Sequence, residues 1–121
     1  MGAPVIHFEI GVADGDRARH FYAELFDWTI TPDANGYGVV DTGAAGINGG
    51  VLPTPQGVRP YVTFYVGVEN LDKALSRAEE LGAHRVMGPA PVGDMGSMAM
   101  FADPDGNTIG LFSAAEKHTN P

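Results

Sequence analysis

The sequence contains one internal repeat, and this repeat constrains the fold more than any other feature. The segment HFEIGVADGDRARHFYAELFDW, which starts at His7, aligns without a gap with TFYVGVENLDKALSRAEELGAH, which starts at Thr63. Phe8 matches Phe64, and the Gly-Val pair at Gly11 recurs at the equivalent position. Such self-similarity is typical of one supersecondary unit used twice. We therefore expect two copies of one unit in this chain.

Each copy opens with alternating apolar and polar residues, a pattern that predicts a half-buried strand. His7 and Glu9 lie on the polar face of the first strand. Tyr61, Thr63 and Tyr65 lie on the corresponding face of the second. These two faces are where we expect functional side chains.

A helix is predicted after each opening strand, and three short strands after each helix. Asp14 and Asn70 are N-cap candidates, because their side-chain oxygens can accept hydrogen bonds from first-turn amides. Apolar residues at helical spacing form one stripe per helix, and we expect both stripes to cover the apolar strand faces. The stripes are Ala18, Phe21, Tyr22, Leu25 and Phe26, then Leu71, Ala74, Leu75, Ala78 and Leu81. The predicted short strands cover residues 29–31, 36–42, 45–52, 85–87, 97–102 and 108–113.

The proline-rich run PTPQGVRP separates the two halves. Prolines remove ladder donors and favour extended or turn geometry, so this run is interpreted as a linker. The predicted fold class is α+β, with two tandem βαβββ modules whose curved mixed sheets form a cleft. Module one covers about residues 4–52, the linker 53–59, module two 60–113 and a polar tail 114–121.

Composition excludes several function classes. Fifteen acidic against seven basic residues give a net charge of −8, which argues against nucleic-acid binding because phosphate contacts need clustered Lys and Arg. The same charge favours cationic ligands, or serves solubility alone. With no cysteine, the chain has no disulfide, thiolate nucleophile or Cys-based zinc site. Apolar runs are too short for a membrane span and no export signal is visible, so we predict a cytoplasmic protein without a membrane partner.

Two motifs identify a family resemblance. Together with the repeat, the HFEIGVADGDRARHFYAELFDW opening and the late FADPDGNTIGLF make the chain resemble the vicinal oxygen chelate superfamily, from Pro4 to Ser113. This superfamily includes glyoxalase I, bleomycin-resistance proteins and extradiol dioxygenases. The resemblance implies paired βαβββ modules around an open cleft. It also implies, in many members, a divalent metal bound by residues of the first and fourth strands of each module.

The metal-ligand positions implied by the resemblance are mostly not filled by ligand residues. His7 matches the usual first-strand histidine, whereas Thr63 and Gly110 stand at the two positions of module two. The fourth-strand position of module one falls near Asn48, or at Gly49. A divalent metal normally needs three or more protein ligands. We therefore expect no cofactor, and Zn, Fe, Mn or Ni bound through His7 is the alternative.

The candidate site centres on His7 and Glu9. A carboxylate beside an imidazole can hold one tautomer and raise the proton affinity of the ring, so the pair could act in acid–base catalysis. The alternative is a hydrogen-bonded polar pair without chemistry, or two ligands of an altered metal site. The predicted ligand-binding residues are Asn48, Tyr61, Thr63, Tyr65, Met100, Thr108, Gly110 and Phe112.

These patterns support three functional hypotheses. The first is a metal-free, glyoxalase/bleomycin-resistance-like homodimer that binds a small organic molecule, a cationic one on the charge argument, in the cleft between modules. The second is a lyase, isomerase or dioxygenase-type enzyme that uses His7 and Glu9. The third is a noncatalytic partner subunit, which would expose an apolar patch.

Overall fold

A computed structural model describes residues 2–43 and 45–115 of the chain. The chain forms two compact units. Among the described residues, the N-terminal unit consists of residues 6–64, and the C-terminal unit consists of residues 65–115 together with residues 2–5. The predicted polar tail lies outside the described residues from position 116 onward.

The N-terminal unit has a βαβββ order. Its elements are β1 (Val5–Val12), α1 (Gly15–Phe26), β2 (Thr29–Pro32), β3 (Gly38–Asp41) and β4 (Gly49–Pro53). The strands are ordered β2-β3-β4-β1, with β1 and β4 parallel and the other pairs antiparallel. As predicted, Asp14 caps α1 by accepting from the Arg17 N–H at 3.1 Å. The helix ends at Asp27, which adopts a left-handed conformation with φ of 59°.

The C-terminal module repeats this order. Its elements are β5 (Tyr61–Gly67), α2 (Leu71–Glu80), β6 (His84–Val92), β7 (Gly96–Ala102) and β8 (Thr108–Ala114). The first four residues of β5 group with the N-terminal unit. The strands follow the equivalent order β5-β8-β7-β6, again with the first and last strands of the module parallel. Two βαβββ modules confirm the predicted fold class.

Leu71, Ala74 and Leu75 of the predicted α2 stripe cover its sheet as predicted, whereas Leu81 lies at the end of the helix and is 64% exposed. Leu71 and Leu75 are buried against Ala99 of β7 and Leu111 of β8. Asn70 caps the helix by accepting from the Lys73 N–H at 3.0 Å. This cluster is the apolar core of the C-terminal unit.

The corresponding prediction for α1 is wrong. Nothing in this helix is fully buried, and the side chains of Phe21, Leu25 and Phe26 are all more than half exposed. Its sheet-facing contact is aromatic instead. Tyr22 stacks on Trp28 with ring centroids 5.8 Å apart, and Trp28 packs on Phe8 of β1 at 5.3 Å. The ring of Trp28 therefore links the helix to the strand.

The DPDGN sequence forms a structural turn, as expected. The Asp103 side chain accepts from the backbone N–H groups of Asp105 and Asn107, each at 2.9 Å. Hydrogen bonds from Asn107 lower the pKa of the Asp103 carboxyl. Across residues 2–43 and 45–115, no helix has the length and apolar character needed to cross a membrane.

Candidate functional site

A buried carboxyl group is the centre of the candidate site. Glu9 lies on the polar face of β1 and is only 7% exposed. The hydroxyl of Tyr61, at the start of β5, donates a hydrogen bond to Glu9 Oε2 at 2.7 Å. Hydrogen bonds to a carboxylate are shorter and stronger than neutral ones. The structure thus joins two predicted site residues, and both belong to the N-terminal unit.

A second tyrosine, absent from the sequence prediction, completes the group. His7 Nε2 is hydrogen-bonded to the hydroxyl of Tyr37 at 3.0 Å. Tyr37 directly precedes β3, in a turn fixed by Asp33, whose side chain accepts from the Tyr37 N–H at 3.0 Å and the Asn35 N–H at 2.8 Å. The turn-forming sequence PDANG marks this loop, but the contact joins residues 30 positions apart.

Both phenols are held in the protonated state at neutral pH. Burial, helped by the charges of Glu9 and Asp33, raises the pKa of Tyr37 to about 12. Burial and the hydrogen bond to Glu9 also raise the pKa of Tyr61. Because each hydroxyl keeps its proton, each remains available as a donor. Glu9 influences both tyrosines, so the four side chains form one electrostatic group.

Burial and the Glu9 carboxylate act on the pKa of His7 in opposite directions. Desolvation lowers the pKa of His7 below its usual 6.5, and the opposing attraction of Glu9 does not offset it. The carboxylate of Glu9 therefore acts in the predicted direction, but the sequence prediction did not include the opposing and larger effect of burial. Burial dominates because it penalises the charged imidazolium. His7 is a neutral imidazole at neutral pH.

Two glycines give the tyrosine rings room to lie on the sheet. A Cβ at Gly11 would come much closer than 3.0 Å to the Tyr61 ring, and a Cβ at Gly50 would do the same to Tyr37. Real Cβ atoms essentially never make such contacts. The bare backbone at these positions is therefore what allows the rings to reach His7 and Glu9.

The other predicted residues of the N-terminal unit have different environments. Thr63 is buried, with 5% exposure. Asn48 is exposed. Its side-chain oxygen accepts two hydrogen bonds from Thr42, one from the backbone N–H at 3.0 Å and one from the hydroxyl at 3.2 Å. These bonds give Asn48 a structural role in the turn between β3 and β4. Its predicted contact with a ligand stays a prediction.

The remaining predicted residues lie in the C-terminal unit. Gly110 pairs with Tyr65 of β5 on one side and with Met100 of β7 on the other. A Cβ at Gly110 would overlap the Tyr65 ring, so this tyrosine also lies over a glycine. On the same strand, β8, Phe112 lies two residues beyond Gly110 and is half-buried, and Thr108 is exposed at the start of the strand. The predicted cleft between the modules stays a prediction.

The register corrects one alignment. Glu9 pairs with Gly50, just as its repeat counterpart Tyr65 pairs with Gly110. The fourth-strand position of module one is therefore Gly50, rather than Asn48 or Gly49. The sequence prediction missed this because it had no strand pairing to count from.

The donor set does not fit the divalent metal that the superfamily implies. Glycine at both fourth-strand positions offers no side-chain ligand, and Nε2 of His7 is engaged by Tyr37. In the part of the chain that the structure describes, no group of three His, Cys, Asp or Glu side chains could hold a metal ion. Three protein ligands are the usual minimum for such ions.

Two surface cavities lie elsewhere, along α1. One, of about 320 Å³, is bordered by Val12, Arg17, Phe21 and Pro60. The other, of about 210 Å³, is bordered by Arg19 and His20 of α1 and by Ile30 of β2. Neither includes His7 or Glu9, so these hollows are separate from the polar group described above.

Fold and site together define a class: paired βαβββ modules that carry polar side chains on the face of the first strand. Comparison with known proteins gives the family. Residues 5–111 match the Glyoxalase/Bleomycin resistance protein/Dioxygenase superfamily, and the chain belongs to this superfamily. This confirms the resemblance predicted from the motifs.

Individual relatives agree with this membership. The chain is 32% identical over 130 residues to the anthracycline biosynthesis protein DnrV of Streptomyces peucetius, covering 92% of this chain and 46% of DnrV. It is 28% identical over 116 residues to CFP32 of Mycobacterium bovis, provisionally named a glyoxylase, covering 88% of this chain and 44% of CFP32. The chain thus spans less than half the length of these curated relatives.

A solved structure shows the same fold. The methylmalonyl-CoA epimerase of Mycobacterium tuberculosis superposes with a TM-score of 0.68 at 19% identity, covering 93% of this chain and 88% of the epimerase. At this level of identity the likeness concerns the fold and not the reaction.

Proposed function

We propose that the protein is a metal-free binding protein of this superfamily that takes a small, positively charged organic molecule at the Glu9 face of the N-terminal unit. One observation carries the proposal: the Glu9 carboxyl is buried, with the Tyr61 hydroxyl bonded to it and Tyr37 within its electrostatic influence. A carboxylate beside aromatic rings is chemically suited to an organic cation.

The charge of the whole protein supports the same ligand class. A net charge of −8 produces a negative field that attracts cations and repels anionic ligands. His7 contributes no positive charge to the site at neutral pH, since its pKa is lowered. The local and overall electrostatics therefore favour the same sign of ligand.

Binding without metal is supported by the donor set. His7 and Glu9 are two candidate ligands, and each already makes a hydrogen bond to a tyrosine hydroxyl. A metal would have to break the bond at His7 and would find glycine at position 50. Hydrogen bonding to an organic ligand requires neither change.

The proposal is tested by ligand-dependent thermal stabilisation. A panel of aromatic quaternary ammonium and guanidinium compounds is compared with neutral and carboxylate analogues of the same shape. We expect cations to raise the melting temperature of the wild-type protein and the carboxylates to leave it unchanged. Binding to the folded state alone stabilises a protein by an amount set by ligand concentration relative to Kd.

Two variants make this test specific. Glu9→Gln keeps the shape of the side chain but removes its charge, and should abolish the shift. Glu24→Gln is the matched control, because Glu24 is exposed on α1 and outside the proposed site. Equal shifts in wild type and Glu9→Gln, or shifts with the carboxylates alone, would contradict the proposal.

A second candidate function is acid–base catalysis, favoured by the neutral imidazole of His7. An imidazole with a lowered pKa is unprotonated at neutral pH and can accept a proton from a bound substrate. This fits the lyase or isomerase alternative. Turnover of a binding compound, lost in His7→Ala with binding retained, would establish the enzyme; unchanged compound recovered after long incubation would favour binding alone.

A further inference from the structure

Tyr37 and any side chain at position 50 would compete for one space. The three atoms nearest to a Cβ built on Gly50 are Oη, Cζ and Cε1 of Tyr37, and all are much closer than the 3.0 Å that real Cβ atoms keep. The phenol therefore occupies the volume that a fourth-strand side chain would fill.

This space adjoins the imidazole of His7. The Tyr37 hydroxyl is 3.0 Å from Nε2, whereas a zinc–imidazole bond is about 2.0–2.1 Å long. A metal ion bound to Nε2 from this direction would overlap the hydroxyl oxygen. Tyr37 and a metal ion thus exclude each other at this nitrogen.

The backbone of Tyr37 is fixed, so the ring is held over Gly50. Asp33 accepts from the Tyr37 N–H through its side chain and donates its own N–H to the Tyr37 carbonyl at 2.9 Å. Two bonds to one residue anchor the turn from which the ring extends. Tyr37 is therefore placed by its own loop as well as by His7.

We infer that Tyr37, whose ring lies over Gly50, is the positioning residue that keeps Nε2 of His7 hydrogen-bonded and keeps divalent metal ions away from that nitrogen. The inference rests on the proposed metal-free function and names the residue responsible for it. The C-terminal unit has a related arrangement, in which Tyr65 of β5 lies over Gly110.

The contact between the Tyr37 ring and Gly50 is tested by a double-mutant cycle that measures the stability of the protein. Gly50→Ala should lower the urea midpoint of unfolding in the wild-type background and have a much smaller effect in the Tyr37→Ala background. Gly49→Ala is the matched control, because a Cβ there would meet the Phe8 carbonyl oxygen and ring rather than Tyr37. Its effect should be the same in both backgrounds. Equal effects of Gly50→Ala in both backgrounds would overturn the inference.

Metal exclusion is tested with zinc alone, by equilibrium dialysis and calorimetric titration. Wild type should show no saturable zinc binding at His7. The double variants Tyr37→Ala/Gly50→Glu and Tyr37→Ala/Gly50→His free the space and add a ligand at the position that pairs with Glu9. With His7 and Glu9 this makes three ligands, so the variants should bind one equivalent of zinc that is lost when His7→Ala is added. If both variants fold but neither binds zinc, the inference is wrong; if neither folds, the stability cycle decides.

The outcomes separate this inference from the proposed function. Failure of every organic cation to bind, with the zinc and stability results as expected, would reject the proposed ligand class and leave the role of Tyr37 intact. Stoichiometric zinc binding by wild type through His7 would reject both the inference and the metal-free function.

Discussion

The two modules share one topology but differ in what they bury. The helix of the C-terminal module packs Leu71 and Leu75 into an apolar cluster, whereas the helix of the N-terminal module buries no residue fully. Conversely, the polar group of half-buried His7, buried Glu9 and half-buried Tyr37 lies in the N-terminal unit. Both modules bury apolar side chains, including Val40 and Val51 in the N-terminal sheet, but only the C-terminal module packs its helix into such a core. The difference shows that two modules with one topology can differ in how their helices pack and in where they place polar side chains.

The largest expected effect is the difference in stability loss between truncating a leucine of α2 and truncating a leucine of α1. Leu75→Ala removes a side chain that is 0% exposed, so we expect a loss of about 3 kcal/mol in the free energy of unfolding. Leu25→Ala on α1 removes a side chain that is 57% exposed and should cost less than about 1 kcal/mol. Urea unfolding of both variants measures the difference. Equal losses for the two variants would contradict the claim that α2 packs into an apolar core and α1 does not.

The next effect concerns the bond between Tyr61 and Glu9. Tyr61→Phe removes the hydroxyl that donates to the buried carboxyl and should cost about 2 kcal/mol, the range for hydrogen bonds to charged groups. Tyr22→Phe is the control, since Tyr22 contributes a ring contact to Trp28. Measured by chemical denaturation, a negligible loss for Tyr61→Phe would show that Glu9 is satisfied without this bond.

The helix caps should behave alike in the two modules. Asp14 and Asn70 each accept from the N–H three residues later, at 3.1 and 3.0 Å. Replacing either by Ala should cost about 1 kcal/mol. A much larger loss at Asn70 alone would mean that the packing of α2, and not local capping, controls this measurement.

The smallest effect is a pH dependence near pH 6.5 that His7 of the N-terminal module produces. The pKa of His7 is lowered in the folded state, so the unfolded chain takes up a proton as pH falls through about 6.5 while the folded chain resists. The free energy of unfolding should therefore decrease below this pH. His7→Asn should remove this component, and His20→Asn, at an exposed position on α1, should not. Identical pH profiles for wild type and His7→Asn would contradict the burial of His7.

Local patterns were sufficient to predict the order of the elements but not all their bounds, since β6 covers His84–Val92 rather than 85–87 and β4 begins at Gly49 rather than at 45. Strand alternation, helical stripes and the caps Asp14 and Asn70 act over a few residues, and the structure confirms both caps. The repeat then predicted that both modules share one order. The coverage by α1 was wrong because periodicity shows which face is apolar, but not whether anything packs against it.

The site was less predictable because its contacts are nonlocal. Glu9 and Tyr61 were both named from strand faces, yet their bond joins residues 52 positions apart. Tyr37 was missed although it lies within the predicted strand at 36–42, because no local pattern shows that its hydroxyl reaches His7, 30 positions away. Gly50, over which the Tyr37 ring lies, was missed because the residue of β4 that pairs with Glu9 cannot be counted from the sequence across the β3–β4 connection. Strand pairing, which a sequence does not display directly, was needed for both.

The imidazole of His7 is the most direct reporter of the central claim. Its ring-nitrogen resonances can be followed by NMR while wild-type protein is titrated with an aromatic quaternary ammonium ion and, separately, with zinc. The account predicts that the cation shifts these resonances and that zinc leaves them unchanged. A shift with zinc at one equivalent and none with the cation would contradict it.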